Sequence, residues 1–361
     1  TRNSRWLTST RFWLLLLALL IAPGILYLCQ WQPLYIHTTA TTQTGNPFIV
    51  ALGGTYGYRR RRTRLLALDE NLQNRRLLCW TDGFVTNLIL SDDGQRLMGI
   101  CYNVAPDMTA AYSLRTWDVT TGEEMSRYEL PGDFVFAAAW TPDAQAVVVV
   151  SQTRTQVIRV NDGEVVYADD EGAWVDCHLT GPRLYVCRNR APPPARPGTW
   201  EFKVFQIHDR HVEEKFSKQG PWFRGVGVTS QGNVVLNDGG TTAEYDLAGE
   251  KVRDLTVGSP LAVRGNSVFY FDAVNRLIEQ DLLTGEVLRS VSMPTANELV
   301  YEPMLQGPDR LVTRSYDAGM TDALGQLNLV TGQSQVIRLQ LITIPTIWWV
   351  IAVVAAGTGF W

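Results

Sequence analysis

The chain has 361 residues, 45% of them apolar, which is enough to bury a large core. Its formal net charge of −4 gives no global field that would draw it to nucleic acid. Five cysteines are present, and the absence of a Cys-x-x-Cys-His run excludes covalent haem attachment.

In chain order, residues 1–11 carry Arg2, Arg5 and Arg11 and read as a cytoplasmic N-terminal segment. From Phe12 to Tyr58 there is no Asp, Glu, Lys or Arg. Within that run, residues 12–31 (FWLLLLALLIAPGILYLCQW) have the length needed to cross about 30 Å of hydrocarbon. A second charge-free stretch closes the chain, with residues 341–361 read as another transmembrane helix. One Arg or Asp in mid-span would cost about 2.5–3.5 kcal/mol, so runs of this length without charge carry information. Six of the twelve tryptophans, Trp6, Trp13, Trp31, Trp348, Trp349 and Trp361, lie in or beside the two ends. Trp13, Trp31, Trp348 and Trp349 are the candidates for an interfacial belt. A cleaved signal peptide is the competing reading of the first stretch; its apolar run exceeds the usual ~7–15 residues. The arginines before residue 12 place the amino terminus inside and the long middle region outside, on the periplasmic or extracytoplasmic side.

Residues 34–339 repeat one pattern. In Ser113–Pro131 an alternating apolar run ends in an aspartate, a polar Gly-containing turn follows, and a second alternating run leaves. This is the signature of two antiparallel strands joined by a hairpin. The same grammar recurs around seven polar pivots: Asp69, Asp118, Asn161, His208, Asp246, Asp281 and Asn328. Upstream of most pivots sits an earlier turn, as in LSDDGQRLMGI (90–100) and VTSQGNVVL (228–236), whose Gly-containing pairs suit hairpins. The 306 residues divided by seven give about 44 per unit, within the ~40–45 of a four-stranded propeller blade, whereas six units would need about 51. The expected units are 34–80, 81–131, 132–169, 170–216, 220–256, 257–293 and 294–339. The expected fold is thus all-β, a seven-bladed β-propeller flanked by N- and C-terminal transmembrane α-helices. A pair of β-sandwiches is the alternative.

On these repeats, and on the dipeptide Trp117-Asp118, the middle region resembles the divergent WD40, YVTN and quinoprotein-like propeller families. The resemblance implies a rigid disc with variable loops. Strand order in such a blade puts the second-to-third-strand connections on the same face as both chain ends. Those connections include Arg59, Arg60, Arg61 and Arg62 with Arg64 beyond them, Pro192, Pro193 and Pro194, and Tyr316 and Met320. They are the candidate partner or lipid contacts: the arginines for anionic headgroups or an acidic patch, the prolines as a stiff extended reach. The plain alternatives are a solvated turn with arginine stems covering strands, and an ordinary loop.

Cys177 and Cys187 flank a turn on adjacent strands and are the candidate disulfide. Cys79 and Cys101 read as core. His208-Asp209-Arg210-His211 holds two imidazoles and a carboxylate, but no fourth ligand is evident, and the sequence assigns no metal site. No Gly-x-Ser-x-Gly, His-Glu-x-x-His, P-loop or dinucleotide fingerprint occurs, so neither cofactor nor catalytic residue is expected. The expected function is a non-catalytic, membrane-anchored subunit docking on an integral membrane complex, for example a photosynthetic or respiratory one, with the bilayer as second partner and no nucleic acid. The alternatives are an extracytoplasmic ligand-binding sensor and a quinoprotein-like enzyme.

Overall fold

A computed structural model describes residues 34–42, 45–54, 62–104, 110–130, 134–151, 153–169, 174–180, 185–190, 200–220, 224–237, 240–257, 260–274, 276–292, 301–317 and 320–339. The two apolar end stretches, with Trp13, Trp31, Trp348 and Trp349, lie outside these residues. Among the described residues there is no helix that is long and apolar enough to cross a membrane.

Among the described residues, twenty-eight strands form seven four-stranded antiparallel sheets, each built from strands consecutive in sequence. Sheet 1 holds β1 (Leu34–Thr41), β2 (Phe48–Gly54), β3 (Arg62–Leu68) and β4 (Arg75–Asp82). Sheet 2 holds β5 (Phe84–Leu90), β6 (Arg96–Val104), β7 (Ala110–Asp118) and β8 (Glu124–Leu130). Sheet 3 holds β9 (Val135–Trp140), β10 (Ala146–Ser151), β11 (Thr155–Arg159) and β12 (Val165–Asp169). Sheet 4 holds β13 (Trp174–Thr180), β14 (Tyr185–Arg190), β15 (Trp200–Ile207) and β16 (Val212–Gly220). Sheet 5 holds β17 (Arg224–Val228), β18 (Val234–Asn237), β19 (Thr242–Tyr245) and β20 (Lys251–Leu255). Sheet 6 holds β21 (Pro260–Arg264), β22 (Ser267–Phe271), β23 (Arg276–Asp281) and β24 (Val287–Ser292). Sheet 7 holds β25 (Tyr301–Gln306), β26 (Arg310–Asp317), β27 (Met320–Asn328) and β28 (Ser334–Arg338).

Period-two alternation explains why these sheets stack into a ring. Along β2, Phe48, Val50 and Leu52 point to one side and Ile49 and Ala51 to the other, and all five are buried. Ile49 and Ala51 join Leu65 and Ala67 against Val85, Leu88, Leu97 and Trp117 of sheet 2. Phe48, Val50 and Leu52 join Leu66 and Leu68 against Val312, Leu324 and Ile337 of sheet 7. A sheet with two apolar faces needs a neighbour on each, and a closed ring supplies both. Similar clusters join sheets 2 and 3, 3 and 4, 4 and 5, 5 and 6, and 6 and 7. The molecule is a β-propeller. The fourth strands form its rim: β8, β20 and β24 alternate between exposed and half-buried residues, while all of β10 is buried.

The turn between third and fourth strands repeats around the ring. Asp118 N–H bonds to Glu123 O (3.0 Å), Asp281 N–H to Glu286 O (2.9 Å) and Asn328 N–H to Gln333 O (2.9 Å). Their side chains cap their own turns: Asp118 Oδ1 accepts from Thr121 N at 2.7 Å, and Asp281 Oδ1 from Thr284 N at 2.7 Å. In sheet 3 the equivalent bond is Arg159 N–H to Glu164 O (2.9 Å), so the pivot is Arg159 and not Asn161. The sequence misleads there because Asp162 takes over the capping, accepting from Glu164 N at 3.1 Å and pairing with Arg159 at 2.7 Å.

Candidate functional site

The strand directions define two faces. The C-terminal ends of the inner strands β1, β5, β17, β21 and β25 meet around one cavity at the axis, so these strands run the same way. Their starts therefore share the opposite face. There Leu34, where the chain enters sheet 1, pairs with Gly54, and the neighbouring Gly53 pairs with Thr63. The connection holding Arg59, Arg60 and Arg61 thus departs and returns beside Leu34, although those three residues are not among the described ones. In sheet 7, Ala323 lies between Ser315 and Arg338, one residue before Leu339, and Asp317 pairs with Met320. Tyr316 and Met320 accordingly belong to the hairpin end beside the last strand's exit. The connection with Pro192, Pro193 and Pro194 lies outside the described residues; it leaves β14 at Arg190 and enters β15 at Glu201's neighbour Trp200.

The arginine cluster divides in two. Arg62 opens β3 with its side chain 70% exposed, 3.7 Å from Asp82. Arg64 instead lies with its guanidinium 4.4 Å from the centre of the Trp80 ring, its strand partner. Burial holds the Arg64 pKa below its ordinary value. Arg64 is thus a packing residue covering β4, as an amphipathic stem does, and Arg62 is the solvent-exposed cation of the two, paired with the equally exposed Asp82.

The same face carries an arc of rings that the sequence did not reveal, because its members come from different strands. His37 lies 4.7 Å from Phe84, Phe84 6.3 Å from Tyr102, Tyr102 5.0 Å from Tyr112, Tyr112 6.0 Å from Phe134 and Phe134 5.0 Å from Phe136. Phe84 pairs with Tyr102 and Tyr102 with Tyr112, so the register of sheet 2 sets the middle of the arc. Phe134 is 53% exposed. Tyr112, by contrast, is 6% exposed and belongs to the core between sheets 2 and 3.

The axial cavity opens at the other face, with a volume of about 1070 Å³. Thr41, Thr229 and Ser230 alternate in its lining with Leu90, Val263 and Leu305, and Asp92 and Arg264 are its two ionisable residues among those described. Burial lowers the pKa of Arg264, whose guanidinium lies 5.6 Å from the Phe269 ring. In its lining Ser91 donates through Oγ to Asp93 Oδ1 at 2.6 Å, and the same hydroxyl accepts from Arg96 N at 3.0 Å, closing the turn after β5.

Cys177 pairs with Arg188 and Cys187 with His178, so the register is one residue out of step with a disulfide across the hairpin. Cys101 is buried and Cys79 half-buried in one core cluster, both as free thiols. Burial pushes Cys79 up to about 12 and Cys101 up to about 11, so neither is a nucleophile near neutrality. Beside them Arg115, 2% exposed, donates to Thr81 Oγ1 at 2.8 Å and lies 3.6 Å from Glu124. Nothing in the sequence marked that buried arginine.

No protein-family model matches the chain, and no curated protein does. Solved structures do. The C-terminal WD40 domain of Sif2 is similar at 13% identity and a TM-score of 0.54 over 82% of each chain. The computationally designed Ika8 protein is similar at 17% identity and 0.54, over 85% of this chain and 88% of that one. A prolyl endopeptidase is similar at 16% identity and 0.55, over 85% of this chain and half of the other. At such identities the likeness is one of fold alone: a β-propeller with WD40-like structural neighbours.

Proposed function

We propose that the protein is a non-catalytic, membrane-anchored, seven-bladed propeller, each four-stranded sheet being one blade, that docks on an integral membrane complex such as a photosynthetic or respiratory assembly. The observation that carries this reading is the shared face of the chain's two ends. Leu34 and Leu339 continue into charge-free stretches of membrane-spanning length; the arginine-rich connection leaves sheet 1 beside Leu34, and the proline-rich connection leaves sheet 4 from the corresponding strand ends. At the end of the aromatic arc, Phe134, 53% exposed, adds apolar area to that face, with Phe84 and Tyr102 half-buried behind it. In this reading the two end segments pack among partner helices on the cytoplasmic membrane, and the propeller sits on its extracytoplasmic side. Arg59 to Arg62 meet anionic headgroups or an acidic partner surface.

The test is extraction of native membranes. The expected result is a chain that resists alkaline carbonate, leaves only with detergent and co-purifies in fixed ratio with multi-helix membrane proteins. Recovery as a free monomer in the aqueous fraction would sink the proposal. A ligand-binding role is the second reading, favoured by the axial cavity of about 1070 Å³. A small molecule retained through purification and lost on Arg264→Ala would favour it.

A further inference from the structure

The hairpin between β15 and β16 departs from the turn used elsewhere in the ring. In sheets 1, 2, 3, 6 and 7 the closing hydrogen bond spans five residues, as from Asp118 N to Glu123 O. In sheet 4 it spans three, from His208 N to His211 O at 2.9 Å. His208 therefore stands where Asp118 and Asp281 cap their own turns, and the short loop brings His211 opposite it. Their rings stack, with centroids 4.5 Å apart and planes 10° from parallel. His208 Nε2 lies 3.0 Å from Glu213 Oε2. Ligand atoms of His208, His211 and Glu213 all fall within 4.8 Å of one another, the one such trio of metal-ligating groups among the described residues.

We propose that this hairpin binds a divalent transition-metal ion, zinc or copper by its donor set, through His208, His211 and Glu213. Two imidazoles and a carboxylate are a three-ligand set that leaves a fourth position for water. Ligands at about 2.0–2.2 Å from zinc lie roughly 3.3 Å apart, so these partly exposed side chains need to close by up to about 1.5 Å, with the stacked rings turning so that both lone pairs converge on the ion. Glu213 now pairs with Lys215 Nζ at 2.8 Å as well as with His208. The ion takes over the charge that these partners supply, and Lys215 swings into solvent. Asp209 stays outside the set, its Oδ1 accepting from Asp143 N of the neighbouring sheet at 3.2 Å. The site lies on the face away from the chain's ends and is independent of the docking proposal.

The test titrates the untagged full-length protein, in detergent, with Co²⁺ read by its visible spectrum and with Zn²⁺ in competition. The expected result is saturation at one equivalent and displacement of cobalt by zinc. His208→Ala and His211→Ala should each weaken binding at least about tenfold, with unchanged melting of the metal-free protein. His178→Ala should leave binding as it was. Failure to saturate at one equivalent, or equal binding by the His208→Ala/His211→Ala double variant, would overturn the assignment.

Discussion

Gln306 reaches from β25 across the ring's seam and donates through Nε2 to Gly45 O at 3.1 Å, joining the last sheet to the first. Gln326 donates in turn to Gln306 Oε1 at 2.7 Å and to Glu70 O at 3.0 Å, and Arg310 also donates to Glu70 O. Gln306 and Gln326 are 2% and 5% exposed, so each amide's pairing matters. Gln306→Ala should destabilise the fold by about 1–3 kcal/mol, the penalty of leaving buried carbonyls and an amide short of partners. Urea denaturation would check this; a change within about 0.5 kcal/mol would mean that water replaces the amide.

Two turn positions should respond with opposite signs. Gly122 has φ +76°, and a Cβ there would collide with the Leu78 carbonyl of sheet 1. Gly122→Ala should cost at least about 1–2 kcal/mol from the left-handed backbone alone. Ala144 has φ +53° in the turn position that Gly94 and Gly232 fill at +69° and +85°. Its N–H bonds to Thr141 O just as Gly94 N–H bonds to Ser91 O. Ala144→Gly should therefore gain up to about 1 kcal/mol, and a paired thermal melt of the two variants reads both signs.

Arg62 and Arg64 should separate docking from packing. Arg64→Ala removes the guanidinium from the Trp80 ring and should cost about 0.5–1 kcal/mol of stability. Arg62→Ala should leave the melt unchanged, because its contact with Asp82 is a solvent-exposed pair. If the docking reading holds, Arg62→Ala should weaken co-sedimentation with vesicles containing anionic lipid, and the loss should shrink as salt rises. Equal vesicle binding by the two variants and the parent would remove Arg62 from the contact surface.

Stability should fall at both ends of the pH scale, from different groups. Asp118 and Asp281 sit below the usual carboxylate range because backbone N–H groups of Thr121 and Thr284 bond to them. A depressed carboxyl contributes stability above about pH 4 that is lost as pH drops through the lower folded value. The thiols act oppositely. With Cys101 at about 11 and Cys79 at about 12 in the fold, against 9.0 when unperturbed, their contribution is full below pH 9 and disappears as pH climbs through 11–12. Melting at intervals from pH 8 to 11 should show the decline begin near 9, and Cys79→Ala/Cys101→Ala should remove that part of it.

Much of the architecture could be read from periodicity. Alternation in β2 and the Asp-capped turns at Asp69, Asp118 and Asp281 are local, and local patterns survive in sequence. Asn161 shows the limit: two acceptors near one turn compete for the cap, and only the closing bond at Arg159 decides. The aromatic arc, the buried Arg115 and the Gln306 seam were invisible because their partners lie on other strands or sheets, up to 261 positions away. The His208 hairpin was half legible. Its residues stood out, but the proximity of Glu213 depends on a turn two residues shorter than its counterparts in most of the ring.

Among the described residues each sheet uses consecutive strands, and the first sheet is made of β1 to β4 with no strand from sheet 7 woven into it. Among the described residues the ring is shut by side-chain packing and by the amides of Gln306 and Gln326, and the first and last strands both belong to the sheets that flank that junction. A pull on the two ends therefore loads the one junction that no covalent connection between strands crosses, instead of being shared around the disc. Tension applied there would unzip the toroid like a clasp and leave the other five sheets stacked.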